Sequence, residues 1–183
     1  MLTLVLTVVI VALVFEYING FHDTANSIAT VVATKVLSPA QAVAMAATMN
    51  LIGALVGTAV AKTIASGLID IGVVEVGAQL ILCALLGGIV WNLITWWLGL
   101  PSSSSHALIG GLMGAALAAA SNNWDAIIWS QPAEPFYKSA GVVWKVIVPM
   151  VSSPVIGFAA GFLMMGVLFA LISGMASSGG ALA

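Results

Sequence analysis

The chain has 183 residues, of which 62% are hydrophobic and only 5% charged, with a formal net charge of −2. A soluble domain carries about 25% charged residues, so this composition excludes one and points to an integral membrane protein. The cations are Lys35, Lys62, Lys138 and Lys145, with no arginine, which leaves neither a nucleic-acid footprint nor a basic membrane-surface patch.

A spanning helix needs about 20 apolar residues to cross a hydrocarbon core about 30 Å thick. The opening "MLTLVLTVVIVALVF" lacks the basic start and cleavage site of a signal peptide and is expected to be a retained span over residues 1–18. It runs into "FEYINGFHDTANSIAT", residues 15–30, where Asn19-Gly20 is a turn or helix-break signal. The second span is 39–61, opened by Ser38 as N-cap with Pro39 in the first turn. The third runs from 76 to 100 and ends in "WNLITWWLGLP", whose Trp91, Trp96 and Trp97 suit a membrane interface. After Pro101 and four serines, residues 107–120 are apolar but short for a full crossing. A polar connection with Pro132 and Pro135 covers 121–138. The last apolar stretch, 140–172, is one span with an interfacial lead-in, or a helix broken near Pro149 or Pro154. Residues 173–183 read as the start of a linker.

The expected fold is therefore an all-α, multi-pass helical bundle, one transmembrane domain over 1–183, with a broken helix and re-entrant or half-helix elements. Irregular backbone at membrane depth is tolerated where protein or a water-filled cavity satisfies it, and in transporters it marks the substrate site. The 19 glycines, many near-periodic, fit closely packed membrane helices. The cell membrane is the expected location, and the lysines do not fix the orientation. The lone Cys83 can make no disulfide within the chain.

Two constellations carry chemistry. At about 100° per residue, Asp23, Asn26 and Thr30 fall within about 40° of Asn19 on one helix face, opposite Phe21, Ile28 and Val32. A carboxylate with amide and hydroxyl oxygens suits a sodium-like hard cation, and carbonyls freed at a break add further oxygens. The plainer alternative is an interfacial turn with Asp23 capping a helix from Thr24. Glu16 either joins the stripe or reaches an interface. His22 and His106, without cysteine partners, are too few for a transition-metal site.

The second constellation is "GLPSSSSHALIGG". A helix starting near Ser105 or His106 directs its unpaired N–H groups and positive dipole end toward the serines, an anion site to which Ser102, Ser103, Ser104 and Ser105 add hydroxyls. The alternative is a surface loop with a serine N-cap. A serine hydrolase is disfavoured, since Ser105 and His106 are adjacent and do not face each other on a helix, and no G-x-S-x-G elbow is present. His106 reads as a helix-start donor or a packed polar group. Asn50 and Asn92, inside spans, read as interhelical hydrogen bonds worth about 0.6 kcal/mol on average. Asp70, Glu75 and Asp125 fall in solvated connections.

Together the two stretches resemble the inorganic phosphate transporter family, the PiT type of sodium- or proton-coupled carriers. "NGFHDTANSIATVVATKVLSPAQAV" is similar to the first family signature, "WNLITWWLGLPSSSSHALIGG" to the second stretch of the amino-terminal half, and "VSSPVIGF" to a later segment. The resemblance implies a carrier rather than an enzyme, built from two inverted repeats, with the anion near the midplane and cations beside it. On that pattern Asp23 and Asn26 serve the cation, and Asn26, Ser103, Ser104 and Ser105 the phosphate. Asn19, Thr30, Ser102 and His106 are further candidates. The implied partners are inorganic phosphate, a coupling cation (Na+ or H+), the lipid bilayer, and a carboxy-terminal repeat or second chain. No cofactor is expected beyond Na+ as coupling ion. No second N-D-x-A-N motif follows residue 106, so the chain is expected to supply one half of the site. The alternatives are a sulfate permease of the same family, since both anions are tetrahedral, and a non-transporting membrane interaction subunit.

Overall fold

Lipid offers no hydrogen-bond partner to a backbone N–H or C=O, so apolar runs of this length fold as helices. The computed structural model describes residues 2–56, 67–134 and 139–179, with side chains described to residue 174. Its long helices are α1 (Leu2–Ala33), α2 (Pro39–Val56), α3 (Ala78–Trp97), α4 (Ser104–Ala119) and α5 (Val148–Gly179). Among the described residues, α1, α2, α3 and the stretch Val143–Gly174 are long and apolar enough to cross a membrane, whereas α4, at 16 residues, is the short half-helix expected after Pro101. The only β pairing among the described residues is two isolated bridges, Ile69 with Ile127 and Gln131 with Ala140.

The helix ends follow local chemistry. Ser38 and Gln41 form a reciprocal capping box at the start of α2: Ser38 N–H donates to Gln41 Oε1 at 3.0 Å, and Gln41 N–H to Ser38 Oγ at 3.4 Å. α3 ends in a Schellman motif, with Gly99 N–H bonded to Trp96 O and Leu100 N–H to Thr95 O. Gly99 takes the left-handed conformation there (φ 64°), and Pro101 prevents the helix from resuming. α1 and α4 close in the same way with Lys35 and Ser121 at positive φ.

The turn after α3 folds α4 back against it. A methyl group on Gly111 would collide with the Ala84 carbonyl, and on Gly87 it would lie 3.4 Å from Gly111 Cα, so the two backbones meet where no Cβ fits. α1 runs parallel to α3: the Phe15 ring covers Gly88, and Phe21 meets Trp96 edge to face at 5.5 Å. At the end remote from Ser104, Ile69, Val74, Leu80, Ala116 and Ala126 form an apolar cluster beneath the Ile69–Ile127 bridge.

The chain divides into two compact units, Met1–Ile128 and Trp129–Ala183. In the second unit the Gln131–Ala140 bridge leads into a π turn, Val143–Ile147, and then α5. The turn widens directly before Pro149, with Val148 N–H reaching back to Val143 O, which accommodates a ring that would crowd a tighter turn. α5 continues through Pro154, so the irregularity expected near Pro149 or Pro154 is a widened lead-in and not a break.

The break expected at Asn19-Gly20 is also absent. A glycine inside a helix costs about 1 kcal/mol, whereas each backbone group left unsatisfied in lipid costs several, so the continuous helix wins. Asp23 consequently lies in mid-helix and caps nothing, and Thr24 Oγ1 bonds back to Gly20 O. The helix also covers 173–179 of the expected linker. Residues 57–61 of the second span, 135–138 of the polar connection and 180–183, with Lys62 and Lys138, lie outside the described residues.

Candidate anion and cation site

Packing α1 and α4 against α3 brings the two polar stretches together. Ser104, in the first turn of α4 and 2% exposed, donates from Oγ to Asp23 Oδ2 of α1 at 2.9 Å. The other carboxylate oxygen, Oδ1, stands 3.2 Å from Nδ1 of His22. His22 is itself enclosed, its side chain 5% exposed against 38% for Asp23, and its Nε2 reaches Thr95 Oγ1 of α3 at 3.2 Å. Thr95 Oγ1 also lies 3.0 Å from Trp91 O and 3.1 Å from Asn92 O, so its hydrogen points into its own helix. Asp23 is thus held from α4 directly and backed by α3 through His22, while more than a third of its side chain stays open.

The serines surround the start of α4. Ser103 is the N-cap, its Oγ accepting from His106 N–H at 3.4 Å, so the helix starts at Ser104, slightly earlier than the sequence suggests. Ser102 Oγ accepts from the Trp91 indole N–H at 3.2 Å. The amide N–H groups of Ser104 and Ser105 have no intrahelical acceptor, by their place in the first turn. Beside them opens a groove of about 530 Å³, lined by Gly87, Trp91, Ser102, Ser103, His106 and Ala107 among others. Small residues on its walls leave room for a tetrahedral oxyanion, with donors from hydroxyls, backbone N–H groups and a helix dipole and no fixed cation.

The other candidates are distributed unevenly. Asn26 and Thr30 continue the α1 stripe as exposed residues, and Ser105 is exposed. Asn19 Nδ2 is 3.5 Å from Glu16 Oε2, and Asn19 Oδ1 is buried without a partner. Asn92 does not make the expected interhelical bond: it is fully buried, with both Oδ1 and Nδ2 unpartnered. Asn50 is exposed and lines a groove between α1 and α2 with Tyr17, Phe21 and Thr24. His22 and Thr95 were missed by sequence reasoning. Only the adjacency of His22 to Asp23 hinted at the first, and Thr95, inside "NLITWW", carried no signal at all.

Four helices of membrane-spanning length among the described residues, with a polar site assembled by α1, α3 and α4 inside the first unit, define an integral, multi-pass membrane protein. The chain belongs to the phosphate transporter family, whose model matches residues 19–178 and so includes both constellations. It is 50% identical over 161 residues to a probable low-affinity inorganic phosphate transporter of Streptomyces halstedii, covering 88% of this chain and 69% of that protein. A protein of the same description from Bacillus subtilis (strain 168) is 48% identical over 164 residues, 90% of this chain and 45% of the relative. Another from Mycobacterium tuberculosis (strain ATCC 25618 / H37Rv) is 48% identical over 150 residues, 82% of this chain and 33% of the relative. The chain thus spans less than half the length of the Bacillus and Mycobacterium relatives. No solved structure matches it.

Proposed function

We propose that this chain supplies one half of a secondary carrier that moves inorganic phosphate across a membrane together with a cation, Na+ or H+. The observation that carries the proposal is the Ser104–Asp23 hydrogen bond, which sets the N-terminal turn of a helix directly beside a carboxylate. Phosphate held by the first turn of α4 would be repelled by an ionised Asp23. Two like unit charges about 6 Å apart repel by roughly 3 kcal/mol at an effective dielectric constant of about 20, a factor of about 100 in affinity. Solvent at the open part of Asp23 reduces this figure, but its sign stands. A cation on Asp23 removes the repulsion, so each ligand favours the other reciprocally, which is the requirement for coupled transport. In this reading Asp23 and Asn26 serve the cation, Asn26 and Ser103–Ser105 the phosphate, with Asn19, Thr30, Ser102 and His106 around them.

A carboxy-terminal repeat, or a second chain, completes the site. Vesicles holding this chain with such a complement are expected to accumulate labelled phosphate, with sulfate failing to compete and sodium-for-choline replacement separating Na+ from H+ coupling. Vesicles holding this chain alone are expected to match empty ones. Sulfate displacing phosphate would shift the substrate to sulfate, and uptake indifferent to both the cation gradient and Asp23→Ala would remove the carrier reading.

A further inference from the structure

The end of the α1, α3 and α4 trio remote from Ser104 carries a second groove, of about 520 Å³. Its walls are Leu4 and Val5 at the start of α1, Cys83 of α3, and Ala115, Ala118 and Ala119 near the end of α4. Two polar side chains line it as well, Glu75 just before α3 and Gln79 in the first turn of α3. Both are exposed, and neither has a hydrogen-bond or ion-pair partner among the described residues. The groove lies about 20 Å along α4 from Ser104, outside the candidate anion and cation site.

Its depth follows from the length of α3. Twenty residues make about 30 Å, the thickness of the hydrocarbon core, and the helix ends in Trp96 and Trp97, which suit one membrane interface. Ala78, its first residue, therefore comes at the other interface. The groove runs from headgroup depth at Glu75 and Gln79 to about 8 Å inside the acyl layer at Cys83. An occupant needs a hydrocarbon chain for the alanine wall and a cationic donor for the unpaired carboxylate. A soluble anion is repelled by Glu75, and a soluble cation leaves the apolar wall unfilled. A primary ammonium carries three N–H donors, which the Glu75 carboxylate and Gln79 Oε1 accept. Gly77 provides no side-chain cap for α3, so the N–H groups of Ala78 and Gln79 suit the phosphate of the same headgroup. We propose that this groove holds one aminophospholipid of the phosphatidylethanolamine type, its ammonium on Glu75 and an acyl chain along Ala115 and Ala118. The inference needs only that the chain is embedded in a bilayer and stands apart from the carrier reading.

Native mass spectrometry of the purified chain, titrated with phosphatidylethanolamine, phosphatidylcholine and phosphatidylglycerol, tests it. One phosphatidylethanolamine should be retained about fivefold more tightly than either other lipid, the upper range for an exposed ion pair. Glu75→Gln should erase that preference and Glu75→Asp should keep part of it. Ala118→Phe, which fills the wall, should weaken retention of all three lipids. Both positions are exposed, so neither change disturbs a buried contact. Alkylation of Cys83, the chain's only cysteine, locates the lipid. In nanodiscs N-ethylmaleimide should react more slowly with phosphatidylethanolamine present than with phosphatidylglycerol, and Glu75→Gln should remove the difference. Equal retention of the three lipids, the mark of annular lipid only, overturns the proposal. So does a preference that survives Glu75→Gln, or alkylation indifferent to the headgroup. Retention that appears only in Lys62→Ala would assign Glu75 to the chain's own lysine, and a dimer that excludes lipid would assign the groove to a second copy; either result overturns the proposal.

Discussion

Ser104 and Asp23, separated by 81 residues in sequence, share a 2.9 Å hydrogen bond that ties the first turn of α4 to the middle of α1. The bond connects the N-terminal turn of α4 to the carboxylate beside it, and a hydrogen bond to a charged group contributes about 1.5–3 kcal/mol. Ser104→Ala is therefore expected to reduce phosphate uptake by the assembled carrier by at least tenfold. Ser104→Thr, which keeps the hydroxyl, should recover part of it. Ser105→Ala, at an exposed position, should have the smaller effect. Initial uptake rates across a phosphate series would measure all three, and equal losses at Ser104 and Ser105 would contradict the assignment.

His22 acts on Asp23 from the other side, linking it to Thr95 of α3. Residues in one hydrogen-bond network couple by about 0.5–3 kcal/mol in double-mutant cycles. His22→Ala and Thr95→Val are expected to be strongly non-additive in unfolding free energy, because either change alone removes the same bridge between α1 and α3. Additive effects would mean that the His22–Thr95 contact contributes nothing to holding the helices.

Much of this architecture was legible in the sequence because its causes are local. Ser38-Pro39-x-Gln41 specifies a helix start through side-chain and backbone chemistry within four residues, and Gly99 with Pro101 specifies an end. Asn19-Gly20 is equally local, yet it was misleading. The penalty for interrupting a backbone in lipid exceeds the glycine penalty, and only the solvent distinguishes a soluble turn from a continuous membrane helix. The Asp23–Ser104 proximity was inferred by resemblance and not by spacing. His22 and Thr95 stayed hidden because their contact arises from the register of α1 on α3, which no periodicity within either helix reports.

The α3–α4 crossing rests on close backbone approach. A Cβ at Gly111 would strike the Ala84 carbonyl and lie 3.3 Å from Gly88 N, both backbone atoms that cannot swing aside, whereas a Cβ at Gly110 meets nothing within 4 Å. Forcing atoms into a packed contact typically costs about 1–3 kcal/mol. Replacing an exposed helix glycine by alanine gains about 0.5–1 kcal/mol. Gly111→Ala should therefore lower the unfolding temperature in detergent and Gly110→Ala should hold or raise it. A reversed order would show that the backbones do not meet at Gly111.

Asp23→Asn separates binding from coupling. The substitution keeps an oxygen to accept from Ser104 and removes the charge that repels an anion at the start of α4. Phosphate binding by the assembled carrier should then lose its dependence on the cation, and affinity in cation-free buffer should rise toward the wild-type value at saturating cation. Because the cation no longer has a carboxylate to neutralise, accumulation against a gradient should fail even though phosphate still binds. Calorimetric titration with and without the coupling cation measures the first effect, and uptake into vesicles with an imposed cation gradient measures the second. If the variant loses phosphate affinity in both buffers, Asp23 contacts the anion through a shared proton instead of repelling it, and the electrostatic account of coupling given for this site is wrong.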